Sequence, residues 1–405
     1  MKLKSISFEN YKAFYERQTI QLKPITILIG KNSSGKSSIA KLFTLLETSL
    51  SGKIDEPLLL SNNEVELGED FENLFFGNKL PGELDLKLVF ENNVQIETTL
   101  REKYNQFGSR GYGLEIYEWK YKDNLNQFEF ELKDDGYFDN IYNNQRDVKF
   151  KGFIPTNIPN EEISKKLFDK LRIDVDYIGP FRVLPERYFY LTGQTQFKDT
   201  GVSGKNAYSM LGISKFQEGD MLYQNVGMWY KDHFDGWALE VDNASKKPLI
   251  QILLSKEDIS INLVDVGQGM NQALPLVVRA NITDRPESII VLEQPELHLH
   301  PAAHGDLAEL FAKSAKQNDQ TFIIETHSEN ILLRLRKLII ENDFGFTKDD
   351  LVIYWIEDAP TKGKEIREIT VDEEGVLTDW PEGVFNESLN EILEMQKAIK
   401  RKTRR

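Results

Sequence analysis

The two ends of this chain carry continuous apolar runs, whereas its middle carries short alternating ones. Ile25-Thr26-Ile27-Leu28-Ile29 is unbroken and β-branched, which predicts a strand buried on both faces. Ile39, Leu42, Phe43 and Leu46 follow at helical spacing and predict a helix over 38–50. Ahead of them, Leu3, Ile6 and Phe8 and then Ile20 and Leu22 predict strands around a turn at Asn10-Tyr11-Lys12-Ala13-Phe14. From about 55 to 250, runs such as Glu83-Leu84-Asp85-Leu86-Lys87-Leu88-Val89-Phe90 predict antiparallel strands. Turn clusters stand at Glu91-Asn92-Asn93 and Lys133-Asp134-Asp135-Gly136. Sustained heptads are absent, so no long coiled-coil arm is expected. Glycines among polar neighbours predict a mobile loop over 193–205, and the aromatic run over 218–238 reads as core or interface.

Strand and helix alternate again from Ile259. Strands are predicted at 288–292, 321–326 and 351–356. Helices are predicted around Leu307, Leu310 and Phe311, and around Ile331, Leu332, Leu335, Leu338 and Ile339. Pro275 belongs in a first helical turn, which would leave Gly267 and Gly269 in the loop ahead of that helix. Such alternation implies a parallel sheet covered by helices. The first buried strand lies more than 200 residues upstream, so the expected fold is one α/β core split by a large insertion. The expected boundaries are 1–55 and 251–360 for the two halves of the core. A β-rich mixed insertion occupies 56–250, and a short C-terminal α/β appendage occupies 361–405.

Composition narrows the setting. Of 405 residues, 40% are hydrophobic and 28% charged, a soluble globular balance. The net charge of −15 argues against adhesion of the whole surface to nucleic acid. The chain has no cysteine, which excludes disulfides and thiolate metal sites. No apolar run has the length of a membrane span, and the start lacks a signal-peptide core, so a cytoplasmic location is expected.

The chemistry concentrates at Gly30-Lys31-Asn32-Ser33-Ser34-Gly35-Lys36-Ser37, which fits G-x-x-x-x-G-K-[ST] between a strand and a helix. Such a turn converges backbone N–H groups on an anion, and the helix N-terminus adds partial positive charge. Asn32, Ser33, Ser34, Gly35, Lys36, Ser37 and Ser38 are thus candidate ATP-binding residues. Lys36 would reach the β- and γ-phosphates, and Ser37 would complete a Mg²⁺ shell. Glu293, at the C-terminal tip of its strand, faces the crevice where ligands bind in parallel sheets and is a second Mg²⁺ candidate.

Several motifs together resemble the ATP-binding cassette heads of the SMC, RecF and OLD families of ATPases. They are Asn32 in the phosphate loop, Val291-Leu292-Glu293-Gln294-Pro295-Glu296 with His298-Leu299-His300-Pro301, and Glu325-Thr326-His327-Ser328. The turn at Asn10–Phe14 looks like the one that lies beside the nucleotide base in that group, which makes Lys12 a candidate. The segment 371–385 looks like a small C-terminal domain of unknown function found on some of these ATPases. The resemblance covers roughly 1–50 and 255–395. It implies an ABC-type head in which two copies sandwich two ATP molecules as a homodimer, with higher oligomers left open. Gly267 and Gly269 would touch the γ-phosphate held by the other copy, and His327 would sense γ-phosphate. The sequence departs from the common pattern at Gln294, where such ATPases place a glutamate that activates water. A neutral amide cannot accept the proton, which implies slow hydrolysis unless Glu296 substitutes.

The resemblance further implies an ATP-driven switch in antiphage defence or DNA repair that controls a partner effector, such as a nuclease acting in trans. The alternatives are an OLD-like nuclease in this chain and a nucleotide-regulated scaffold. His298, His300 and His304 are weighed as zinc ligands against a packing and capping role. Arg182 and Arg187 are weighed as phosphate or partner contacts against ion pairing. The basic tail 397–405 is weighed as a nucleic-acid contact against a solvated end.

Overall fold

The computed structural model describes residues 1–104, 110–133, 136–158, 170–191, 197–217, 219–243, 249–378, 380 and 394–395. Six strands form the sheet that carries the phosphate loop. Their order is Val175–Ile178, Ile289–Glu293, Thr321–Glu325, Ile25–Gly30, Leu351–Asp358 and Lys364–Ile369. The first five run parallel and the last antiparallel.

The apolar runs have no polar face because both faces of this sheet are covered. Ile25, Ile27 and Ile29 pack with Ile290, Leu292, Phe322 and Ile324 in one core. Leu28 shares the opposite core with Val291 and Ile323. The alternation follows from the pleat, which sends successive side chains to opposite faces.

Helix Lys36–Ser49 starts at the phosphate loop and lies in the second of these cores. Ile39, Leu42, Phe43 and Leu46 pack there against the parallel sheet and against Phe8, Leu86 and Leu88 of a second sheet. That sheet is antiparallel and eight-stranded. Its order is Gln18–Gln21, Leu3–Glu9, Glu83–Phe90, Gln95–Tyr104, Arg110–Lys122, Gln127–Lys133, Gly136–Asp139 and Asn144–Arg146. The helix is therefore clasped between two sheets.

The other core holds helices Asn206–Phe216, Leu222–His233, Gln268–Ala280, Pro301–Gln317 and Glu329–Glu341. A small sheet of Phe189–Tyr190, Leu249–Lys256, Ala238–Asp242 and Ile259–Asn262 completes it.

The expected insertion 56–250 is not a separate body. Its first part extends the sheet that contains the N-terminal strand, and Val175–Ile178 is the edge strand of the parallel sheet. That strand was hard to read because it is short and carries Asp176, which is buried. Arg279 of helix Gln268–Ala280 pairs with Asp176, and Arg285 lies close by. Burial pulls the Asp176 pKa up, against the opposing pull of these cations. Removing one member of such a pair typically costs about 3–5 kcal/mol, so the pair pins the edge strand to the helix.

Three further expectations change. Pro275 sits inside helix Gln268–Ala280, not in its first turn; Gly267 is the N-cap and Gly269 lies in the first turn. The proline fits because Gly204 lacks a side chain, where a Cβ would stand 2.4 Å from the Pro275 ring. Of the expected mobile loop, 193–196 lies outside the described residues and 197–205 is tied down. Thr200 is buried on Asp176, and the Val202 carbonyl accepts from Gly179 N–H at 2.8 Å. The expected appendage begins with a strand of the core sheet, since Lys364–Ile369 pairs with Leu351–Asp358. The basic tail 397–405 lies outside the described residues. Among the described residues no helix is long and apolar enough to cross a membrane.

Candidate nucleotide site

The phosphate loop leaves the C-terminal end of strand Ile25–Gly30 in a backbone path that glycine makes possible. Gly30 has φ +156° and Gly35 has φ +103°. A Cβ on Gly35 would meet the Phe14 ring at 3.0 Å, and one on Gly30 would meet the Ile356 carbonyl oxygen at 2.7 Å. Phe14 belongs to the turn 10–14, whose rings form an edge-to-face cluster with Phe8. Tyr11 Oη donates to the Ser38 carbonyl at 2.8 Å. The N-terminal turn is thus a prop under the phosphate loop and the first turn of its helix.

Lys36 is 3% exposed. Its Nζ donates to the carbonyls of Gly30 at 3.0 Å and Lys31 at 2.8 Å, and it stands 3.9 Å from Glu325 Oε1. Burial lowers its pKa, while the charges of Glu325 and Glu293 oppose that shift. Ser37 Oγ donates to Glu325 Oε2 at 2.7 Å. Glu325 and Glu293 are register partners at the tips of neighbouring strands, so two carboxylates lie side by side behind the loop.

Glu293 is 6% exposed, and its Oε1 has no hydrogen-bond partner. Burial lifts its pKa to about 7, helped by the Glu325 charge and opposed by the Tyr177 hydroxyl, which donates to it. An orphaned buried carboxylate oxygen next to Glu325, which itself accepts from Ser37, fits a hard divalent cation, which takes oxygen ligands. The proton-linked consequence has a definite sign. The folded chain holds this proton more tightly than the unfolded chain, so stability should fall as pH rises from about 4.5 to about 7. The expected loss is of order 3 kcal/mol. Urea midpoints of wild type and Glu293→Gln between pH 4.5 and 8 test this. Wild type should lose ground to the variant across that window, and parallel curves would refute it.

Lys12, Asn32, Ser33, Ser34, Gly35, Lys36, Ser37, Ser38, Gln294 and His327 line one cavity of about 760 Å³ together with Glu325. Ala13, Leu67, Gly68, Asn73, Gly77 and Asn78 complete its wall. In the sequence Glu325 stands only as part of a motif, and the stretch 67–78 falls within the expected insertion. Two glycines and two asparagines within that stretch were the available signal. Lys12 Nζ donates to the Leu67 carbonyl, so the N-terminal turn and this loop close one side of the cavity. Burial, and next the charge of Lys41, lower the Lys12 pKa.

Gln294 has φ +44°, and its backbone N–H donates to the Glu325 carbonyl at 2.8 Å. His327 donates its backbone N–H to Glu296 Oε1 at 2.7 Å. Burial, and then the charge of Lys36, hold the His327 pKa below its ordinary value, which favours the neutral ring. Gly267 and Gly269 do not line the cavity. A Cβ on Gly267 would meet nothing within 4 Å, and one on Gly269 would approach the His298 carbonyl at 3.4 Å.

The histidines have local roles. His300 Nδ1 accepts from Ala302 N–H at 3.3 Å and caps helix Pro301–Gln317. His304 Nδ1 is 2.8 Å from Ser328 Oγ. Among the described residues no group of three or more His, Cys, Asp or Glu side chains is arranged to hold a metal. Arg187 forms a bidentate pair with Asp265 at 2.9 and 2.7 Å, while Arg182 is buried.

The sequence matches the family described as "AAA ATPase domain" over residues 1–215 and 214–332. Residues 347–395 match a "Protein of unknown function (DUF3696)". No curated protein sequence matches the chain. Among solved structures, the SMC head bound to the C-winged helix domain of ScpA is similar at TM-score 0.52 and 11% identity, covering 92% of this chain and 99% of that one. The SMC head domain from Thermotoga maritima is similar at TM-score 0.47 and 14% identity, covering 92% and 100%. At 11% identity the first of these likenesses concerns fold alone. Family match, phosphate loop and clasped helix agree: the chain belongs to the AAA ATPase domain family and has an SMC-like head fold.

Proposed function

We propose that the chain is an ATP-hydrolysing switch that closes as a homodimer on two ATP molecules and controls a partner effector. The observation that carries this reading is the single cavity that gathers Lys12, the loop 32–38, Gln294 and His327 from distant parts of the sequence. Lys36 would exchange its two carbonyl partners for the β- and γ-phosphates. Ser37 Oγ and Glu293 would hold Mg²⁺, with Glu325 behind Ser37 as the nearest further carboxylate. Bound Mg²⁺ would neutralise charge on the phosphate oxygens. Gln294 and His327 would position water and the γ-phosphate.

The second copy enters this reading because Gly267 and Gly269 do not line the cavity of their own chain. Phe181, Leu184, Tyr188 and Tyr190 are exposed, and the Arg187–Asp265 pair fastens their segment beside Gly267. Exposed apolar side chains next to an open glycine turn support association at this face. ATP with Mg²⁺ should therefore raise the mass measured by light scattering. Gly269→Arg should abolish the increase while leaving ATP affinity within about threefold. An unchanged mass in wild type would remove the dimer from this reading.

Antiphage defence or DNA repair is the setting we propose, on the sequence resemblance. The SMC head solved with a ScpA domain supports the idea that a head of this fold carries a partner protein. Purification together with the products of neighbouring genes tests it, and a co-purifying nuclease is the expected result. A nuclease within this chain has no second acidic cluster among the described residues to support it.

A further inference from the structure

Arg182 is 6% exposed and lies between strand Val175–Ile178 and strand Phe189–Tyr190. Its Nη2 donates to the Leu297 carbonyl at 3.1 Å, but Nε and Nη1 have no hydrogen-bond partner. A buried guanidinium with idle donors is costly. Burial pulls its pKa down to about 10, and the Glu296 charge is the largest opposing influence. Glu296 is idle in the complementary way. Its Oε1 takes the His327 N–H, while Oε2 is buried without a partner. On the other side, the Arg182 carbonyl accepts from Gln272 Nε2 at 3.3 Å in a buried contact. Gln272 belongs to helix Gln268–Ala280, whose first turn carries Gly269.

We propose that Arg182 and Glu296 form a positioning pair that fixes the His327 loop and carries its movement to helix Gln268–Ala280. Without nucleotide, Arg182 grips the Leu297 carbonyl next to Glu296, which keeps the Glu296 carboxylate where it can bind the His327 amide. When the backbone at His327 moves so that its ring can meet a γ-phosphate, the amide leaves Glu296, which closes on the idle Nε and Nη1 of Arg182. The backbone of Arg182 shifts with it, and Gln272 passes the shift to the helix start. One copy's phosphate contact thus adjusts the glycine turn that it offers to the other copy. The second half of this inference rests on the proposed ATP switch; the first half needs no nucleotide.

Hydrogen exchange of the full chain tests both halves. Without nucleotide, Arg182→Met should speed exchange at 326–329 about tenfold, the loss of one well-placed hydrogen bond. Strand Ile289–Glu293 should stay protected. Arg182→Lys, which keeps the charge, should recover most of the protection. Arg182→Met combined with Glu296→Gln should exchange no faster than Arg182→Met alone, because coupled residues are not additive. Unchanged exchange at 326–329, or additive effects, would overturn the pair. If Arg182→Met does not fold, Arg182→Lys and Glu296→Gln with their double variant complete the same cycle. With ATP and Mg²⁺, exchange at 326–329 and at 268–273 should change together in wild type. In Arg182→Met the affinity should hold while the response at 268–273 disappears. A response that survives in Arg182→Met overturns the relay. Failure of wild type to bind ATP sinks the relay with the switch reading, but leaves the pair to be decided by the nucleotide-free cycle.

Discussion

Lys36→Ala is expected to lose ATP affinity about a hundredfold or more while the chain still folds. The loss follows from removing the loop lysine that lines the cavity. The fold should survive for a reason peculiar to this site. Lys36 is a buried cation whose solvation is only partly replaced by two carbonyls and a carboxylate 3.9 Å away. Alanine removes those contacts and the desolvation penalty together, so the thermal midpoint should stay within roughly 5 °C of wild type. Isothermal titration with ATP, beside a thermal scan, checks both halves. Unchanged affinity in a folded variant would contradict the site assignment.

Gln294→Glu is expected to accelerate single-turnover hydrolysis by at least about tenfold, because general-base assistance typically contributes about 10²–10⁴-fold. The substitution should leave the backbone in place. Its unusual φ of +44° is set by the N–H bond to the Glu325 carbonyl, which either side chain permits. Glu296 is a poor substitute base, since its Oε1 already holds the His327 amide. Glu296→Gln keeps that acceptor but not the charge, and should slow hydrolysis by less than about tenfold. Quenched-flow measurements on both variants decide the matter. Turnover abolished in Glu296→Gln with ATP binding intact would make Glu296 the base.

The parts of the fold that were legible in the sequence are those whose burial is complete. Ile25–Ile29 and Ile289–Leu292 have no polar face to confuse the pattern, and the phosphate loop is fixed by glycines that no other residue replaces. Val175–Ile178 was hidden because Asp176 breaks its apolar run, and the compensating Arg279 lies about a hundred residues away in sequence. The wall of the cavity at 67–78 was hidden for another reason. It is built from glycines, asparagines and a backbone carbonyl, which contribute shape without a motif. The role of Glu325 needed the register between strands Ile289–Glu293 and Thr321–Glu325, which no local spacing reveals. Pro275 departs from the first-turn rule because Gly204, distant in sequence, leaves space for its ring inside the helix.

The central strand of the core sheet has a consequence for synthesis. Strand Ile25–Gly30 leaves the ribosome about 300 residues ahead of both its neighbours, Thr321–Glu325 and Leu351–Asp358. At about 5–20 residues per second, a fully buried, mostly apolar strand and its phosphate loop wait tens of seconds for partners. During that time both hydrogen-bonding edges are open to other chains. The antiparallel sheet can form earlier and cover one face of helix Lys36–Ser49, since all its strands lie before residue 147. The nucleotide pocket itself cannot exist before Glu325 and His327 have emerged, so ATP can select only chains extended past that point.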